Sequence, residues 1–157
     1  MGFTDNFDLA RFVTAQERQY PRALAEMRRG RKTTHWIWYI FPSIVGISTS
    51  ARGNRYAISG LEEAQAYLQH PVLRARLVEI TQAVLDSGTT KILTLMGSAV
   101  DVTKMHASMT LFVRADPERR VFDFQAVLDK YYGGASHSKW DQILGDESED
   151  QELYLAG

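Results

Sequence analysis

The sequence has no cysteine. Disulfides and thiolate zinc sites are therefore excluded, and a reducing cytoplasm is the expected compartment. Long apolar runs are missing too. The longest, residues 36–41, is cut by Pro42, well short of the ~20 residues a membrane-spanning helix needs. The opening residues, Met-Gly-Phe-Thr-Asp-Asn-Phe-Asp, lack the basic and apolar regions of a secretion signal. There is no glycine-rich phosphate loop, nucleophile elbow, HExxH or Walker sequence. His70, His106 and His137 show no metal-ligand spacing, so neither a metal nor a cofactor is expected. No internal repeat and no low-complexity linker interrupts the chain.

What is present suits one domain. The 157 residues, 45% hydrophobic and 24% charged, are enough to bury about 68–70% of the unfolded surface. The net charge of −1 hides an asymmetry. Asp146, Glu147, Glu149, Asp150 and Glu152 crowd the last dozen residues, leaving 14 acidic against 18 basic side chains in residues 1–145. That mild excess suits a small phosphorylated ligand and is too weak for duplex nucleic acid.

The densest feature is Thr33-Thr34-His35-Trp36-Ile37-Trp38-Tyr39-Ile40-Phe41-Pro42, which holds two of the three tryptophans. Aromatic side chains bury roughly 150–250 Å² each, so the run belongs in a core or a pocket wall. Its composition favours a strand, but no second alternating segment lies nearby to pair with it. A short helix or helix-like turn is expected.

The remaining spacing is helical. Leu9, Phe12 and Val13 predict a helix over 8–19, and Pro21 and Gly30 bracket a second. Ser48 is placed to cap a helix over 49–57, and Ser59 stands three residues before Glu62, as in a capping box opening a helix to about His70. Pro71 opens the clearest amphipathic segment, with Leu73, Leu77, Ile80 and Val84 on one face and Gly88 as its stop. Shorter helices are expected over 91–96, stopped at Gly97, and over 101–113. Another carries Val121, Phe124, Leu128 and Tyr131, and a last turn at 139–144 brings in Trp140. The fold class is all-α: a compact multi-helix domain over 1–145 and a flexible acidic tail over 146–157.

Three groups are candidates for chemistry. On a helix over 101–113, Asp101, Lys104 and Ser108 fall within about 80° of one another, beside the apolar stripe rather than opposite it. His35 adjoins Trp36 and could move protons near neutral pH. The basic residues before the run, Arg31 and Lys32 among them, together with Arg52 and Arg55, suit a ligand with both phosphate and a planar base. Each also has a plain structural explanation as a helix end, a core hydrogen bond or a solvated charge.

The segments Phe-Asp-Leu-Ala-Arg-Phe-Val-x-Ala-Gln (7–16), Gly-Arg-Lys-x-x-His-Trp-Ile-Trp-Tyr-Ile-Phe-Pro (30–42) and Gly-Ile-Ser (46–48) carry a resemblance. So do Tyr-Ala-Ile (56–58), Glu-Ala-x-Ala-Tyr-Leu-x-His-Pro-Val-Leu (63–73), Asp-Val-x-Lys (101–104) and Ser-Met-Thr-Leu-Phe (108–112). Together they resemble the bacterial family known as domain of unknown function 1810, sometimes labelled calpastatin-like, over residues 7 to about 145. The resemblance implies a compact helical domain and brings no established activity. In order and character the chain is also similar to the NADAR proteins, a group associated with ADP-ribose and cleavage of N-glycosidic bonds.

Two readings follow. In the first, a pocket takes a nucleotide or ADP-ribose-like ligand. Asp101 and His35 are then catalytic, Trp36 and Trp38 stack the base, and Lys104, Ser108, Arg31 and Lys32 hold phosphate and sugar. In the second, the chain is a non-catalytic interaction protein whose aromatic run is core and which meets a protein partner.

Overall fold

The computed structural model describes residues 5–138, and within them the chain forms eight helices. They are α1 (Ala10–Arg29), α2 (Ile37–Ile40), α3 (Ala51–Arg55), α4 (Leu61–Gln69), α5 (Pro71–Asp86), α6 (Ile92–Met96), α7 (Ala99–Ala115) and α8 (Gln125–Tyr131). The all-α expectation holds: among the described residues the sole β feature is one parallel bridge between Ile44 and Ile58. The expected turn at 139–144 and the acidic tail lie outside the described residues.

The first helix corrects the expected break at Pro21, which sits inside an uninterrupted α1. An interior proline removes one backbone hydrogen bond. Here Pro21 and Glu17, whose carbonyl loses its partner, are both exposed, so the lost bond falls on the solvent side of the helix. The buried stripe of Phe12, Gln16, Ala23, Leu24 and Met27 then runs the length of the helix. It packs on α5 and α2.

Helix α7 is the central element. Residues 107–112 are all buried, the signature of a helix enclosed on every side, and α4, α6, α8 and α2 pack around it. Its N-cap is Ser98, whose Oγ accepts from the Asp101 N–H at 3.2 Å. Asp101 is therefore the third helical residue rather than the cap. Other boundaries shift for equally local reasons. Ser50, not Ser48, caps α3 by accepting from the Gly53 N–H, and Ser59 donates to Glu63 rather than Glu62. The end of α5 falls at Ser87, where Lys130 Nζ on α8 donates to the Leu85 carbonyl at 2.7 Å. Helix α8 begins only at Gln125, because the Asp116 carboxylate holds the preceding loop by accepting from the N–H groups of Arg120, Val121 and Phe122.

The aromatic run forms the short helix α2. Ile40 N–H bonds back to the Trp36 carbonyl and Phe41 N–H to that of Ile37. Trp36, Ile37, Tyr39, Ile40 and Phe41 are buried. What fixes this turn is Glu26, 2% exposed on α1. Its carboxylate accepts from Thr33 N–H (2.8 Å), Thr34 N–H (3.1 Å), Thr34 Oγ1 (2.6 Å) and Trp36 Nε1 (2.9 Å). Burial disfavours the charge, but these donors outweigh it and hold the carboxyl at about 2, below its ordinary 4.5.

A group whose folded pKa is depressed stabilises the fold fully above its unfolded pKa, and that contribution is lost as pH falls through the folded one. Glu26 should therefore contribute about 3 kcal/mol near neutral pH, declining from pH ~5 towards pH ~2. Urea denaturation over this range should show a shallower pH slope in Glu26→Gln, which should also be about 2 kcal/mol less stable at pH 7. Equal slopes in the two proteins would contradict the assignment.

Candidate functional site

A cleft of about 310 Å³ opens where the loop after α1 meets the α6–α7 junction. Lys32, Thr33, Thr34 and His35 form one wall, with Trp38 from α2 beside them. Met96, Gly97 and Ser98 form the turn opposite, and Val100, Asp101 and Lys104 come from the first turns of α7. The walls are pinned together by Lys32 N–H donating to the Leu95 carbonyl at 2.8 Å. Gly97 is required at this seam. It adopts φ +87°, and a Cβ there would stand 3.0 Å from the Lys32 carbonyl oxygen.

The charged centre is an ion pair spanning the cleft. Lys32 Nζ lies 2.7 Å from Asp101 Oδ2, with side chains 4% and 15% exposed. The ammonium also donates to the Thr34 carbonyl at 2.7 Å and stands 4.9 Å from the Trp36 ring. Lys104, one turn along α7, places its ammonium 5.0 Å from the Trp38 ring. The Arg52 guanidinium approaches the same ring at 4.8 Å from α3. Behind them, burial pushes the Tyr39 phenol above its ordinary value despite the opposing pull of Arg52, so it stays neutral.

The structure brings together Asp101, His35, Trp38, Lys104 and Lys32. It separates the other three expected residues from them. Trp36 is fully buried, with its Nε1 committed to Glu26, and has no face for a ligand. Trp36 and Trp38 lie two residues apart, so one turn of helix sends them to different sides. Ser108 is also fully buried and lies outside the cleft lining. Arg31 is exposed and stands away from the lining. Lys32 lines the cleft, but its ammonium is engaged by Asp101 and Thr34.

Sequence reasoning missed Glu26, the Ser98 cap in the turn after Gly97 and the pairing of Lys32 with Asp101. The spacing Ser98-x-x-Asp101 was a signal for the turn; the pair, made across 69 positions, left none. A larger groove of about 580 Å³ along α5, lined by Pro71, Arg74, Val78 and Glu79, gathers no comparable set of reactive groups. Among the described residues no cluster of His, Asp or Glu is disposed to hold a metal ion. None of the helices there is long and apolar enough to cross a membrane.

The chain matches the family model described as protein of unknown function (DUF1810) over residues 6–144. Its fold is similar to the crystal structure of the conserved hypothetical protein Rv1873 from Mycobacterium tuberculosis. The two are 44% identical with a TM-score of 0.83, and the match covers 88% of this chain and 97% of that one. No curated protein matches the chain.

The ion pair sets the stability of the site. Asp101→Asn preserves shape but leaves the Lys32 ammonium buried without its counter-charge. It should cost about 2 kcal/mol and lower Tm by roughly 6 °C. Lys32→Met, which leaves behind the more exposed partner, should cost less. Thermal and urea denaturation of both variants checks the order, and the reverse order would show that the Lys32 stem, not its charge, is what matters.

Proposed function

The chain belongs to the DUF1810 family, and from that premise we propose that its cleft binds a nucleotide-derived ligand and cleaves the N-glycosidic bond. The observation that carries this reading is the convergence of Asp101, His35 and the Trp38 ring on one small, cation-rimmed cleft. At about 310 Å³ it stands at the small end of ligand sites, which run from about 300 to 1,000 Å³. A mononucleotide-sized moiety fits that volume, with the remainder of an ADP-ribose-like ligand extending outside.

Each residue has a task. Trp38 stacks the base, and Lys104 meets negative charge. When the bond from the anomeric carbon to the base nitrogen breaks, its electron pair leaves with the base and the sugar becomes oxocarbenium-like. The Asp101 carboxylate stabilises that cation, and His35 at the rim supplies a proton to the departing base; water adds to the anomeric carbon and gives up one proton, which returns through solvent to His35. The similarity in order and character to the NADAR proteins supports the same ligand class. One observation favours the interaction-protein reading instead: Leu93 on α6 and Val100 on α7 are 57% and 61% exposed, and Val100 lies in the cleft lining.

Titration with ADP-ribose and with AMP, followed by tryptophan fluorescence, decides between the two. Saturable quenching that disappears in Trp38→Phe is expected, because Trp36 is sealed in the core. Release of free base from an N-ribosyl nucleotide, measured by chromatography below the variants' melting range, should fall at least ~100-fold in Asp101→Asn. Its ligand affinity should change little, since the carboxylate acts mainly on the transition state. Absence of binding at millimolar concentration would reject the nucleotide reading and leave the interaction protein.

A further inference from the structure

We propose that Arg52 and Lys104, both over the Trp38 ring, form a phosphate subsite joining α3 to α7; this deepens the cleft reading and rests on it. The two cations approach one indole ring, at 4.8 and 5.0 Å, and so stand within about 10 Å of each other. Like charges at that range repel, and a protein ordinarily answers them with a carboxylate. None is present. Among the described residues the acids nearest in purpose are committed elsewhere: Asp101 to Lys32, Glu26 to the loop, and Glu63 to Arg11 and Ser59. Neither Arg52 nor Lys104 has a side-chain hydrogen bond or ion pair.

A third observation points the same way. Trp38 Nε1 is buried and has no hydrogen-bond acceptor among the described residues. An indole N–H of that kind is uncommon, because a buried polar group left unmatched costs free energy. Two unpaired cations and one unmatched donor thus surround a single side chain. A phosphate supplies what all three lack: oxygens for the Arg52 fork, a charge for Lys104, and an acceptor beside the indole. Arg52 stands outside the lining of the cleft, so the phosphate would sit at its α3 margin, beyond the sugar. The ligand class narrows accordingly to a nucleotide bearing a terminal phosphate or diphosphate, rather than a free nucleoside.

The test compares adenosine, AMP and inorganic pyrophosphate by Trp38 fluorescence. It uses the full chain and the variants Arg52→Ala, Lys104→Ala and Arg31→Ala, with circular dichroism to check folding. The altered side chains are exposed or half-buried, so the fold should survive. AMP and pyrophosphate should bind, each weakened about tenfold by Arg52→Ala and by Lys104→Ala. Arg31→Ala should leave both unchanged, and adenosine should bind more weakly than AMP and ignore all three substitutions. Equal affinity for adenosine and AMP would overturn the subsite while leaving the cleft reading intact. So would phosphate binding indifferent to Arg52 and Lys104. Failure of every ligand would overturn both.

Discussion

A carboxylate folded into the interior of α1 is the constraint on which the site depends. Glu26 gathers four donors from residues 33, 34 and 36, and a buried charge of this kind is tolerable only when its lone pairs are filled. The loop therefore has one admissible path. That path puts Trp36 into the core, hands Thr34's carbonyl to Lys32, and starts α2 at the next residue. Once α2 is placed, Trp38 is carried to the cleft without further instruction. The polar cluster thus acts as a positioning device: it converts an apolar run whose composition favours a strand into a single helical turn of known orientation.

The opposite wall is set by α7. A helix buried on all sides through residues 107–112 has no freedom to rotate or slide in a close-packed core. Its first turn emerges from that core at Ser98–Asp101, so Asp101 and Lys104 inherit the rigidity of the buried half. The Lys32–Asp101 pair then closes one wall onto the other. Sites built from the ends of rigid elements hold their geometry better than sites on loops alone, and here the one loop involved is tied at Glu26, at Leu95 and at Asp101.

Much of the fold was legible because burial leaves a period in the sequence. The α5 stripe, the Pro71 start, the Gly97 stop and the helical character of 101–113 all follow from spacing and cap chemistry. Pro21 was misread because local rules treat proline as a boundary, whereas a continuous buried stripe overrides one lost hydrogen bond at the surface. Half of the candidate site was legible as well, through the polar edge of α7 and the histidine beside the aromatics. The two tryptophans were not distinguished, although their two-residue spacing separates them on any helix. The Lys32–Asp101 pair was beyond reach, since nothing local records which of the five lysines meets which aspartate across a tertiary contact.

The distribution of charge bears on what such a surface can bind. A body with an excess of basic residues invites the thought of a polyanion, yet many of those side chains work within the fold. Arg11 spans the Phe7, Arg55 and Ala57 carbonyls and the Glu63 carboxylate. Arg76 bridges to Gln16 and Glu17, and Lys130 closes the end of α5. Lys32 is neutralised by Asp101. At the cleft this leaves Lys104 and Arg52, two charges beside one aromatic ring. Long nucleic acids need an extended row of phosphate contacts to gain affinity, which a pair of cations does not offer. On the proposed reading a pair matches instead one phosphate or diphosphate, held beside a ring that stacks a base. On that reading the arrangement is sized for a single small molecule.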